Sequence, residues 1–102
     1  METKRYQQYK SLLRKYYIFT ATYIKNGRQR GSGKLTLLLT NVHLNNKEIL
    51  DHIWVINDQF AKKLASKQHR TITFKGKLIP IKKPHMLYGS KLDLGLKIES
   101  ML

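Results

Sequence analysis

The sequence predicts a mainly β domain: a five-stranded barrel with one helix between its third and fourth strands and an extra helix ahead of the first. Three observations carry this. Residues 49–77 read as strand, helix, strand: a short β-rich apolar run, a segment with apolar side chains at helical spacing, and an alternating run. Two further β-rich segments precede this unit and one follows it. The chain has 102 residues and 41% hydrophobic content, which suits a single domain, 1–102, around one modest core.

A helix is expected from Thr3 to about Lys15, where Tyr6, Tyr9, Leu13 and Tyr16 recur at helical spacing and Leu12 widens the stripe. Lys4, Arg5, Lys10, Arg14 and Lys15 surround it. Such a stripe suits packing on a barrel; a basic arm that folds on nucleic acid, or a dimer seam, is the alternative. The first strand is expected over Tyr16–Lys25, with Tyr17, Phe19, Ala21 and Tyr23 inward. Asn26–Gly33 then reads as a loop, because Asn-Gly is a strong turn signal and Gly31-Ser32-Gly33 adds freedom. It is not a phosphate-binding P-loop, since no Gly-Lys-Ser/Thr opens a helix after it.

Lys34–Leu44 is the expected second strand, with Leu35, Leu37 and Leu39 inward and Leu38 awkwardly outward. Asn45-Asn46-Lys47 makes a tight connection to a third strand over Ile49–Ile56. There Ile53 and Val55 suit the core, which puts His52 and Trp54 on the opposite face. Asn57-Asp58 can cap a helix running to about Lys67, whose Phe60, Ala61 and Leu64 would plug one end of the barrel. Thr71–Leu78 is the fourth strand, with Ile72, Phe74, Gly76 and Leu78 on one side and Lys75 and Lys77 on the other. Ile79–Lys91 is expected as a connection, since Pro80 and Pro84 break ladder pairing and Gly89-Ser90 makes a turn. Leu92–Ile98 closes the barrel, with Leu92, Leu94, Leu96 and Ile98 inward and Asp93, Gly95, Lys97 and Glu99 outward. Five strands with one helix between the third and fourth is the order of an OB-fold, a small barrel that commonly binds oligonucleotides. An SH3-like barrel or a ribosomal-type RNA binder would share the small basic barrel.

Charge narrows the function. Twenty Lys and Arg against six Asp and Glu give a net charge of +14. The field is uneven: residues 1–34 hold nine basic side chains and one acid, 35–66 three of each, and 67–102 eight basics and two acids. An anionic partner offsets the self-repulsion of such a field, and nucleic acid is the commonest. There is no cysteine, hence no disulfide or thiolate metal site, which fits a reducing compartment such as the cytoplasm. The N-terminus has no apolar signal core, and no apolar run approaches the ~18 residues of a membrane span. Catalysis is not expected. The six acids are scattered and read as caps or surface charges, and the four histidines lack metal-ligand spacing. Asp51 and His52 are adjacent in a strand, so their side chains should point to opposite faces. No metal or other cofactor is expected.

In an OB-fold the ligand lies across the second and third strands, flanked by the loop between strands one and two and the loop between strands four and five. Here those two loops are the basic ones. Arg28, Arg30 and Lys34 are expected on one side of a groove, and Lys82, Lys83, Tyr88 and Lys91 on the other. The sheet between offers Thr36, Thr40, His52 and Trp54, and Lys75 and Lys77 join the set from the fourth strand. Cations along such a groove track phosphates, while aromatic faces stack bases with little sequence preference. The expected partner is therefore single-stranded DNA, or RNA after it. A protein partner in a nucleic-acid-processing complex and self-association are further expectations, and a membrane is not.

The layout from Tyr16 to Glu99 resembles OB-fold single-strand-binding proteins. The segments DHIWV at 51–55 and ITFKGKL at 72–78, joined by the helix, also resemble small OB-like proteins of Gram-positive phages and mobile elements. That resemblance implies a role in replication, recombination or transfer of mobile DNA. It also admits a small phage-type protein that inhibits or modulates a host nucleic-acid enzyme. Such inhibitors are often acidic nucleic-acid mimics, and +14 argues against mimicry.

Overall fold

Alternation of apolar and polar side chains decides which face of each strand leaves water, and the five strands of this chain bury that face against one another. The computed structural model describes residues 1–56, 59–85 and 89–102. Its elements in chain order are α1 (Lys4–Tyr9), β1 (Tyr16–Arg28), β2 (Leu35–Leu44), β3 (Lys47–Ile56), α2 (Ala61–Leu64), β4 (Thr71–His85) and β5 (Gly89–Met101). The strands form one antiparallel sheet in the order β3-β2-β1-β4-β5. Curvature brings β3 against β5, giving a nearly closed, OB-like barrel.

The inward faces are largely those the alternation indicates. Phe19, Ala21 and Tyr23 of β1, Leu37 and Leu39 of β2, Ile53 and Val55 of β3, Phe74 and Leu78 of β4, and Leu94, Leu96 and Ile98 of β5 are buried. The Phe19 and Phe74 rings stack at 5.6 Å between centroids. Phe60, Ala61 and Leu64 are buried with this core, as their helical spacing indicates. Asn45 and Asn46 both take positive φ, 52° and 64°, which makes the two-residue turn from β2 to β3. A bulge in β5 opposite Lys75 and Gly76 shifts the β4–β5 register, leaving Glu99 as the extra residue between Ile98 and Ser100.

Four expectations are corrected. The N-terminal helix stops far short of Lys15: α1 ends at Tyr9 and one 3-10 turn follows over Lys10–Leu12. Arg14 then adopts φ 66° and its N–H bonds the Leu78 carbonyl, so the chain leaves helical geometry to join the sheet. Tyr16 belongs to β1 rather than to the helical stripe, while Tyr6 is buried and Tyr9, Leu12 and Leu13 pack against the core.

Second, Asn26-Gly27 is not a turn. Asn26 pairs with Leu37 and Gly27 with Thr36, and the turn falls later, between Arg28 and Leu35. Third, Pro80 and Pro84 do not end β4; they face Leu94 and Ser90 in a long β4–β5 ladder. Leu78 turns its carbonyl toward Arg14, away from β5, so residues two and six further on present their nitrogens to that same open edge. β1 has already ended its pairing at Lys77, and no ladder donor is needed there. Fourth, the segment after β3 is helical to Lys67 as expected, but only one turn of it, α2, is α-helix, and a 3-10 turn follows over Ala65–Lys67. The expected cap, Asn57-Asp58, lies outside the described residues.

Candidate functional site

A groove of about 560 Å³ opens where β3 faces the β4–β5 hairpin. Ile53 and Ile56 of β3, Ile81 of β4 and Leu94 of β5 supply its apolar lining. Trp54 stands beside them, 44% exposed, on the outward face of β3. Local chain geometry explains that position. Ile53 and Val55 face the core, so Trp54 must face out, and across the sheet it meets Gly27. A Cβ at Gly27 would sit 2.9 Å from Cζ3 of the indole, so glycine lets the ring approach β1 this closely. Thr36, outward as expected, is buried here, with its hydroxyl also close to Gly27.

Cations rim this surface. Arg28 lines it at the β1–β2 turn beside the neutral Gln29, Lys82 and Lys83 on β4, and Arg5 from α1. Arg28 donates from Nη1 to the Gly33 carbonyl at 3.0 Å, which ties the guanidinium to its own turn. Gly31 and Gly33 have φ of 86° and 69°, so the turn uses the glycines that the sequence sets there.

The charge at the inner end is organised by Asp93, which is 4% exposed. Arg5 donates to it twice, from Nε to Oδ1 at 2.7 Å and from Nη2 to Oδ2 at 3.0 Å. Lys83 Nζ lies 2.9 Å from Oδ2, and the Thr3 hydroxyl and the Leu94 N–H both donate to Oδ1. Burial pushes the carboxyl's pKa up, but the hydrogen bonds from Arg5, Lys83 and the Leu94 N–H together hold it well below the usual carboxylate range. Arg5 also donates from Nη1 to the His52 carbonyl at 2.7 Å. One guanidinium thus joins β5 to β3 across the seam where their edges face each other. The chain ahead of it helps: Thr3 N–H bonds the Leu92 carbonyl, Leu92 N–H bonds the Met1 carbonyl, and Glu2 bridges Leu92 in parallel. Thr3 caps α1 by accepting from Tyr6 N–H and so fixes where Arg5 emerges.

The structure therefore brings Arg28, Thr36, Trp54, Lys82 and Lys83 to one groove. Arg30 and Lys34 are exposed on the β1–β2 turn without lining it. Lys91 is half-buried opposite Lys83 in the hairpin. Tyr88 lies outside the described residues. Lys75 and Lys77 sit elsewhere, on the outward face of β4 around Tyr16. His52 is exposed, and one expectation about it is wrong: its Nδ1 lies 3.1 Å from Asp51 Oδ1. The Asp51 side chain folds back along the strand to accept the His52 N–H at 2.9 Å, and this local bond overrides the alternation. That same N–H, with the imidazole beside it, lowers the Asp51 pKa. Both side chains are open to water.

Sequence reasoning missed Arg5 as a site residue and Asp93 as a buried one. A signal existed: Asp93 stands alone among Leu92, Leu94 and Leu96 in a chain with few acids. Among the described residues, no group of three His, Asp or Glu side chains is placed to hold a metal ion, and no helix is long and apolar enough to cross a membrane.

Fold and groove together define the class: a basic OB-like barrel with an exposed indole in a cation-rimmed groove. No protein-family model, curated protein or solved structure matches the chain.

Proposed function

We propose that the protein binds single-stranded nucleic acid in this groove, DNA ahead of RNA, and catalyses nothing itself. The observation that carries the reading is the indole of Trp54, packed against Gly27 and 44% exposed beside Arg28 and Lys82 in a chain of net charge +14. A base stacks on the indole, worth ~1–3 kcal/mol, and the rim cations take the flanking phosphates. The apolar lining from Ile56 and Ile81 accepts the base edge or its sugar without demanding a sequence. The preference for DNA rests on the resemblance of residues 51–55 and 72–78 to small OB-like proteins of mobile elements.

Anisotropy of labelled single-stranded DNA, single-stranded RNA and duplex DNA across a salt series tests it. The expected result is preferential single-strand binding with quenching of Trp54, the only tryptophan. Neutralising about five phosphates gives a log–log salt slope near −3.5 for a single strand. Replacing Arg28 and Arg30 by Ala should flatten the slope by about 1.4 if each meets one phosphate. Equal, weak binding to all three probes without any change in Trp54 emission would overturn the reading.

A further inference from the structure

A second aromatic station stands apart from the groove. Tyr16, at the start of β1, is 45% exposed, and two ammonium groups lie over its ring: Lys75 Nζ at 5.2 Å and Lys77 Nζ at 5.0 Å from the centroid. Ile18, two residues on, is exposed as well and pairs with Lys75, while Tyr16 pairs with Lys77. Lys97 faces Lys77 from β5, and Glu99 is the exposed acid nearby on that strand. The lysines cover the ring only in part: the ring and Ile18 stay exposed, and neither ammonium group is paired with an acid among the described residues, so the patch suits a ligand with flat apolar faces and negative charge between them.

This station and the groove share one strand face. Residues two apart in a strand point the same way, so Lys75, Lys77, Ile79, Ile81 and Lys83 make one row along β4. Gly95 confirms the row locally: a Cβ there would lie 2.6 Å from Ile81 Cγ2 and 3.2 Å from Ile79 Cγ1, so both isoleucines lie over the same glycine. Ile81 and Lys83 line the groove, and Lys75 and Lys77 flank Tyr16. From Lys75 to Lys83 the row spans about 26 Å at about 3.3 Å per residue. Its order is two lysines, two isoleucines and then Lys83, which Asp93 also holds, with Tyr16 at the first end and Trp54 lining the groove at the other.

We propose that Tyr16 is a second base-stacking site, and that a bound single strand runs from the Trp54 groove along this face of β4 to Tyr16. The inference rests on the reading of the groove as a single-strand site. On binding, a base takes the ring face and the two lysines pass, on their flexible stems, from the ring to the adjacent phosphates. The ligand is a polyanionic strand rather than a free nucleotide, since only a strand reaches both stations at once.

Binding of oligothymidylates of about 4 and about 12 nucleotides, both within the range of site sizes for such barrels, separates the two stations. Affinity and Trp54 quenching are read for the native chain, for Tyr16→Ala, for Tyr16→Phe and for Lys75→Ala with Lys77→Ala. Tyr16→Ala should weaken the long oligomer about ten-fold, leave the short one within two-fold and leave Trp54 quenching at saturation unchanged. Tyr16→Phe should keep native affinity, because the ring and not the hydroxyl is used. The double lysine variant should flatten the salt slope by about 1.4 for the long oligomer alone. Thermal melting of each variant checks that the exposed substitutions leave the fold intact. Unchanged long-oligomer affinity in Tyr16→Ala, with Trp54 still quenched, would overturn the second station and leave the groove standing. Equal weakening of both lengths would overturn it too. If no oligomer binds the native chain or changes Trp54 emission, both readings fall together.

Discussion

A carboxylate in a chain of net charge +14 has many cations within reach, and Asp93 holds two of them while nearly sealed from water. Its lone pairs are matched by Arg5, Lys83, Thr3 and the Leu94 N–H, so the buried charge is compensated. In Asp93→Asn one oxygen becomes an N–H donor aimed at ammonium or guanidinium groups that can only donate. The expected cost is about 2 kcal/mol, below the range for a fully buried pair because Arg5 and Lys83 both reach solvent. That corresponds to a melting temperature lower by about 10 °C. The pH dependence has a definite sign. The folded pKa is depressed, so the unfolded chain binds the proton more readily, and the contribution is fully present above about pH 4. It is lost as pH falls below that. Melting curves of the native chain and Asp93→Asn should therefore converge in acid and separate toward neutral pH; parallel curves would mean that Asp93 is not held ionised. Gly27→Ala is a second change at this scale. The added methyl meets the indole, so the ring must lift, and Trp54 emission should shift to the red with a stability change within about 1 kcal/mol.

Among the elements, β1 to β5 differ in how openly the sequence declares them. Phe19, Ala21 and Tyr23, then Leu37 and Leu39, then Ile53 and Val55 alternate with residues that can stay wet, and burial follows that pattern closely. The outward position of Trp54 follows from the same parity. What escaped the sequence was decided by pairing rather than by composition. Asn26-Gly27 carries a turn signature, yet the ladder with Leu37 and Thr36 and the seat for Trp54 both hold it extended. Pro80 and Pro84 look like breakers until the free edge of β4 is known. The role of Arg5 needed the three-dimensional seam, since its partners His52 and Asp93 are far away in sequence. The element most dependent on one side chain is that seam. Arg5→Ala removes the only guanidinium among the described residues that is seen joining β3 to β5, and leaves Asp93 with Lys83. Hydrogen exchange should quicken at the β3 amides near His52 and the β5 amides near Asp93, with the Phe19–Phe74 centre still protected. Uniform acceleration across all strands would mean that the clasp and the core open as one unit. Phe74→Ala, by contrast, should cost about 3–5 kcal/mol and loosen the whole barrel, because that ring is fully buried against Phe19 in the β1–β4 pair.

For the whole molecule the governing quantity is twenty basic side chains on a body of 40 × 32 × 20 Å with six acids to answer them. At physiological ionic strength the screening length is about 8 Å, and in dilute salt near 0.01 M about 30 Å, comparable to the protein itself. In dilute salt each cation therefore feels most of the others, and the folded state carries a self-repulsion that the expanded chain relieves. Added salt should act on the two properties of this protein with opposite signs. It screens the repulsion and raises the melting temperature of the free chain, and it removes the gain from releasing condensed counterions and weakens binding to a single strand. The test is a pair of series over the same concentrations of sodium chloride: melting of the free protein, and affinity for an oligothymidylate. Rising stability with falling affinity is the expected pair. A melting temperature that stays flat while affinity falls would mean that the cations of the free chain do not destabilise it by mutual repulsion. Affinity that ignores salt would instead make the charge irrelevant to the partner, and the groove would have to be read through Trp54, Ile56 and Ile81 alone.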